Sequence, residues 1–154
     1  VSGNRTDLAL ALVDGRDVEI DLLMVAGDLQ LDEGLRTALI VSLLSDRRAD
    51  PDDVLPIGET DRRGWAGDLL EADPADRIGS KLWLLIPGKQ TEATRLKIET
   101  AAREAIDWIE RDGVAAIERV EASFEEDAVR VAVAVHRRVT GAVVAFEHVW
   151  RPAA

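Results

Sequence analysis

Paired carboxylates, two histidines and doubled arginines are the residues of this chain whose types and spacing could do chemistry. Glu125-Glu126 and Asp52-Asp53 are adjacent acids. Glycoside hydrolysis needs two carboxyl groups about 5–9.5 Å apart across a cleft, one desolvated enough to stay protonated. Both pairs fall in turn-like stretches, where solvated acids are normal, so no catalysis is expected from them. Asp50-Pro51-Asp52-Asp53 has the acidic density of a calcium loop. It lacks the glycine at the sixth position and the closing glutamate, and an Asp/Pro turn is the better reading. His136 and His148 are the only histidines. Both fall on expected strands and could face each other if those strands pair. Glu147 alternates away from His148, and no third ligand sits at a useful spacing, so half-buried strand residues are expected rather than a metal site. No Ser/His/Asp order has supporting context, and no Gly-rich phosphate loop follows a strand. No catalytic, metal or cofactor site is expected.

The arginines are more informative. They lie in three clusters, Asp46-Arg47-Arg48-Ala49, Asp61-Arg62-Arg63-Gly64-Trp65-Ala66-Gly67-Asp68 and Asp76-Arg77-Ile78-Gly79-Ser80-Lys81-Leu82-Trp83. Arg47-Arg48 and Arg62-Arg63 could clamp phosphate. Asp46, Asp50, Asp61 and Asp68 flank them, so internal Asp–Arg forks that pin a long loop are preferred. Trp65, Trp83, Trp108 and Trp150 are the large rings of a chain without tyrosine. Most are expected in the core, and one or two at an interface, where Trp and Arg dominate binding. Such a run reads as a docking surface on a fixed scaffold.

Composition bounds what that surface can meet. The net charge of -11 argues against free binding to nucleic acid or an anionic bilayer, each of which needs a basic face. Even Asp46 to Lys81 holds six basic residues against ten acidic ones. The absence of cysteine removes disulfides and thiolate chemistry and suits a reducing compartment. At 154 residues the chain fits a single domain, 1–154, able to bury a core without a disulfide or metal. Val1 to Asp14 shows no basic region followed by an apolar core, so no signal peptide is expected. No apolar run approaches the roughly 20 residues of a membrane span.

The elements that must position these residues follow from periodicity. Asp7–Val13 alternates, Asp14-Gly15 is a turn signal, and Val18, Ile20 and Leu22 continue the period of two. A hairpin is expected, with a short third strand near Asp28–Leu31. Asp32 is the expected cap of a helix through Leu35, Ala38, Leu39, Ser42 and Leu43. Ile40, Val41 and Leu44 make its other side apolar, so it is buried almost all round or covered by a partner. Ala49 to Ala75 has no period and reads as a long loop, pinned to the body through Leu55, Ile57 and Trp65. Ser80 caps a short helix, Lys81–Ile86, ended by Pro87-Gly88. Thr91 to Arg111 is one long helix, N-capped by Thr91 and stopped by Asp112-Gly113, with Glu99–Arg103 and Asp107–Arg111 as i,i+4 pairs. Ile117–Phe124, Ala128–His136 and Ala142–Trp150 are three strands. The small face Ala128, Ala132, Ala134 leaves room for a close helix. The fold class is α+β: two or three helices packed on a mostly antiparallel sheet, with an N-terminal β-hairpin and three C-terminal strands. The parts are 1–31, a β segment; 32–112, helices with loop 49–75; and 114–150, the strands.

Leu43-Leu44-Ser45-Asp46-Arg47-Arg48-Ala49 and the two later motifs, the last extended to Leu84-Leu85, resemble the small tail baseplate wedge protein of Mu-type contractile bacteriophages. The order of elements fits, and the similarity spans about Leu29 to Trp150. The wider sheath-initiator or lysozyme-like wedge family carries Glu-Pro-Arg after its long helix. This chain has Glu110-Arg111-Asp112 there. The resemblance implies a structural, non-enzymatic subunit in the virion tail baseplate, assembled in the bacterial host cytoplasm. Its implied partners are larger baseplate wedge proteins, met in a helical core bundle, and the tail sheath, seeded by added strands. No nucleic acid, membrane or small-molecule substrate is expected. The residues expected to fix the loop or bind partners are Asp46, Arg47, Arg48, Arg62, Arg63, Gly64, Trp65, Asp68, Arg77, Gly79, Trp83, Glu110 and Arg111. A lysozyme-like cell-wall glycosidase and an acidic protein-binding module are the alternatives.

Overall fold

The alternation that fills Val129–Val135 makes the C-terminal part of the chain a sheet. In the computed structural model, the backbone is described for residues 7–8, 10–13, 19–22, 24–25, 28–29, 31–32, 34–69 and 77–151, and side chains for 34–68 and 77–151. Nine strands and four helices occur among them. The N-terminal strands pair antiparallel: β1 (Asp7–Leu8) with β6 (Leu31–Asp32), β2 (Leu10–Val13) with β3 (Glu19–Leu22), and β4 (Met24–Val25) with β5 (Asp28–Leu29). The expected hairpin is β2–β3, in register Leu10 opposite Leu22. Its Asp14-Gly15 turn lies outside the described residues, as do Leu70 to Asp76 of the long loop.

β7 (Ala115–Glu125), β8 (Ala128–Arg137) and β9 (Val143–Trp150) form an antiparallel sheet in that order. A bulge at Glu118 shifts the β7 register. Val129, Val131, Val133 and Val135 are buried on one face, with Ala122 and Phe146 beside them. Helices α1 (Leu35–Leu44) and α3 (Glu92–Ile106) pack on this face through Leu39, Ile40, Leu43, Ile98, Ala102 and Ile106. The other face carries Ala132 and Ala134 among Arg119, Glu121, Arg130 and Glu147, and no described helix covers it. The expectation of a helix against the alanines is therefore wrong. The branched valines and Phe146 offer more apolar surface and take the helices instead.

Pairing of β8 with β9 sets His136 opposite Val143 and His148 opposite Val131. The two histidines thus lie on opposite faces of the sheet, because they differ in parity along the register. They do not face each other.

Three helix expectations also need correction. Asp32 sits in β6, and Gly34 (φ 79) precedes α1 without a side-chain cap. The long helix is broken at Asp107 into α3 and α4 (Trp108–Arg111). There the Asp107 N–H donates to Glu104 O at 3.4 Å, a step of three residues instead of four. The Glu99–Arg103 pair differs too: Glu99 takes Arg95, and Arg103 takes Glu110. Thr91 does cap α3, its Oγ1 accepting from Thr94 N at 3.1 Å. The short helix α2 is Leu82–Leu85, one residue inside the expected span at each end. Among the described residues no helix is long and apolar enough to cross a membrane.

Candidate functional site

Most of the arginine clusters meet in one knot between the end of α1 and the start of α2. The chain leaving α1 runs beside the chain entering α2. Ser80 N donates to Ser45 O and Arg47 N donates to Ser80 O, both at 2.9 Å. Ser80 Oγ donates to Leu43 O at 2.7 Å. Gly79 (φ 96) makes this contact possible, since a Cβ there would lie 2.5 Å from Ser45 O. Trp83, buried on α2, closes the knot by donating Nε1–H to Arg47 O at 2.9 Å.

The long loop is tied to this knot by charge. Arg63 adopts a left-handed φ of 51. Its guanidinium donates to Asp46 at 2.8 Å and Glu59 at 3.0 Å, and stands 4.4 Å from the Trp83 ring centroid. Burial alone would lower the Arg63 pKa; Asp46 and Glu59 outweigh it and raise it. Arg62 donates to the carbonyls of Asp50 and Pro51. Ala49 N donates to Arg62 O at 2.9 Å, Arg48 Nη1 donates to Arg63 O at 3.2 Å, and Gly64 lies against Arg48. The guanidinium groups of Arg62 and Arg63 thus point into the protein's own carbonyls and carboxylates.

Lys81 is a second tie that the sequence did not single out. Its ammonium sits 2.6 Å from both Asp50 and Asp53. Burial opposes the charge on each partner, yet their mutual contact prevails: Asp53 is held below its ordinary value and Lys81 above its own. Two of the three carboxylates in the acidic turn expected at Asp50–Asp53 thus take an internal ammonium. The one sequence signal was that Lys81 is the sole lysine between Asp46 and Lys81, facing ten acids. Among the described residues no group of three or more His, Asp or Glu converges as metal ligands would.

The remaining expected residues lie around this knot. Asp68, in a 3-10 turn at Ala66–Leu69, is buried, and its Oδ1 accepts from Ile78 N at 3.2 Å. Its Oδ2 is buried with no hydrogen-bond partner among the described residues. Trp65 is 60% exposed and lies against Gly67, while Ile57 is fully exposed. Arg62, Arg63 and Lys81 therefore pin the loop, while Val54, Ile57 and Trp65 stay exposed and Leu55 is partly buried. Glu110 reaches the sheet, accepting from Ile117 N at 2.9 Å. Arg77 and Arg111 line a cleft that runs from the knot residues Arg47, Gly79 and Lys81 to α3 and α4.

This geometry defines an α+β scaffold carrying a rigid, charged loop platform beside a helix whose Ala38 and Val41 are only partly covered. Residues 35–142 match the family described as Phage protein GP46, and the chain belongs to that family. Baseplate protein gp46 of Escherichia phage Mu is 41% identical over 108 residues, 70% of each chain. Mu-like prophage FluMu protein gp46 of Haemophilus influenzae is 36% identical over 118 residues, 77% of this chain and 76% of the relative. No solved structure gives a significant match. The Mu-type resemblance read from the three arginine motifs is borne out, and the matched span contains all three.

Proposed function

We propose that this chain is a non-enzymatic structural subunit of a phage or prophage contractile-tail baseplate, assembled in the bacterial host cytoplasm. The observation that carries this reading is the 41% identity to a protein named as a baseplate component of phage Mu. The structure supplies a mechanism. The knot of Asp46, Arg47, Arg48, Arg62, Arg63, Gly79 and Trp83 ties the loop around residues 46–64 to the body, so docking on that part loses little conformational entropy. Trp65 stands exposed beside Val41 and Ile78 as an aromatic contact for a larger wedge subunit. Among the described residues β9 pairs only with β8, which makes it a sheet edge suited to strand addition by a sheath segment.

The test is co-expression with the tail proteins encoded beside its gene, followed by tag capture and size exclusion. A stable complex with a large wedge subunit is expected, weakened by Trp65→Ala. Failure to bind any tail component would overturn the docking reading. A peptidoglycan zymogram adds a check on the enzymatic alternative: no clearing is expected, and clearing lost in a Glu→Gln variant would reverse the conclusion.

A further inference from the structure

Val54-Leu55-Pro56-Ile57 places four apolar residues in succession on the long loop. Val54 is 87% exposed and Ile57 fully so, with Leu55 and Pro56 partly buried between them. One exposed aliphatic side chain is ordinary; a consecutive run on a loop costs solubility and adds nothing to the core. The run is also held in shape. Glu59 N donates to Pro56 O at 3.0 Å, closing a turn over Ile57 and Gly58. Gly58 supplies the positive φ, 87, that the third position of a type II turn requires. On one side of the run, Asp53 accepts from Asp50 N at 2.8 Å and takes Lys81 at 2.6 Å. On the other, Glu59 takes Arg63 at 3.0 Å. Both ends are thus fastened to the knot, yet Ile57 buries nothing against its own chain. A preformed apolar tip favours association, because no loop has to be ordered on docking.

The charge around the tip narrows what it can meet. Asp50 to Asp61 holds five acids and no base. Asp50, Asp53 and Glu59 are engaged by Lys81, Arg77 and Arg63. Asp52 and Asp61 are exposed and enter no ion pair among the described residues; Asp61 accepts only the backbone N–H of Arg63. An anionic bilayer and a second copy of a chain with net charge -11 are both repelled by such a tip. We propose that Val54 and Ile57 form an apolar knob that enters an apolar socket on another tail subunit, with lysine or arginine at the socket rim facing Asp52 and Asp61. This deepens the docking reading and rests on it, through side chains other than Trp65.

The chain has no cysteine, so a single thiol can be placed at will. Ile57→Cys carries an environment-sensitive dye at the tip, and Val139→Cys carries it in the exposed turn between β8 and β9. Each is titrated with the tail subunits encoded beside this chain's gene, purified one at a time. With one of them the dye at 57 should shift to the blue and the dye at 139 should not. In unlabelled chains, Ile57→Ser should weaken binding of that subunit about tenfold or more and Val54→Ser about threefold or more, the scale of burying branched aliphatic side chains. Asp52→Lys should weaken it about threefold or more, and added salt should act in the same direction. The urea midpoint should stay put in all three variants, since the replaced side chains are exposed, and this separates lost binding from lost folding. A dye at 57 that stays in water while the subunit binds, or binding indifferent to Ile57→Ser or Asp52→Lys, sinks the knob and leaves docking elsewhere on the chain intact. A wild-type chain that binds no tail subunit sinks both. A blue shift at 57 with phosphatidylcholine vesicles, or self-association abolished by Ile57→Ser, would give the tip another occupant and overturn the proposal.

Discussion

At the scale of single residues, the knot depends on side chains that allow no near substitute. Gly79 combines a φ of 96 with a backbone oxygen 2.5 Å from where a Cβ would sit. Gly79→Ala must therefore strain the backbone and push apart the strand-like contact between Ser45 and Ser80. The expected loss is about 2 kcal/mol or more, read from the midpoint of urea unfolding. Arg63 presents a different dependence. Its planar fork reaches Asp46 and Glu59 while its face lies over Trp83. A lysine keeps the charge but cannot span both acids and stack at once. Arg63→Lys is expected to cost about 1 kcal/mol, since each contact is partly exposed and individually weak. A loss below the error of the unfolding curve would mean that the fork does not hold the loop.

Between elements, the decisive tie is Trp108. Its Nε1–H donates to Ser42 Oγ at 3.0 Å, joining α4 to α1 across 66 residues. Trp108→Phe and Ser42→Ala should each cost about 1 kcal/mol, and the double variant less than their sum, giving a coupling of about 0.5–1.5 kcal/mol in a double-mutant cycle. Additive losses would show the bond to be inert. The same residue shows where sequence reading stops. The three C-terminal strands were legible because Val129, Val131, Val133 and Val135 repeat at two. α3 was legible because Thr91 caps it and Ile98, Ala102 and Ala105 repeat near 3.6. The break at Asp107 was not, since no Gly or Pro marks it and the contact beside it comes from a distant helix. Ion pairs were legible in kind but not in partner. Glu99 has an arginine four residues away on either side, at 95 and at 103, and local spacing cannot choose between them. In the candidate site, the motifs pointed to the segments that meet, yet Lys81 and its two acids escaped notice. Asp50 and Asp53 resemble an ordinary solvated turn until the lysine 31 residues from Asp50 is brought beside them.

For the whole molecule, stability just below neutral pH should depend on one half-buried ring. His148 lies on the covered face of β9, edge-on to Trp150 at 4.4 Å between ring centroids. Its Nε2 is buried with no hydrogen-bond partner among the described residues. Burial disfavours the imidazolium and lowers the pKa of His148 from its ordinary value of 6.5. Between the unfolded and folded pKa values the unfolded chain binds a proton that the native state does not. Stability must then fall as pH drops from about 6.5 toward the folded value, and level off below it. Asp53 acts in the same direction at more acidic pH: its contribution is present above the unfolded carboxylate range and lost as pH falls through the lowered folded pKa. Lys81 acts at the alkaline end, where its contribution is lost as pH rises through the raised folded pKa. Urea midpoints at pH 8, 6.5, 5.5 and 5 isolate the His148 range, because Asp53 titrates below that interval and Lys81 above it. Wild type should weaken from 6.5 to 5, and His148→Phe should remain flat there until carboxylates begin to protonate. His136→Gln, on the opposite face, should retain the wild-type fall. A flat wild-type profile across that interval, or an equal fall in the phenylalanine variant, would place the acid sensitivity elsewhere than β9.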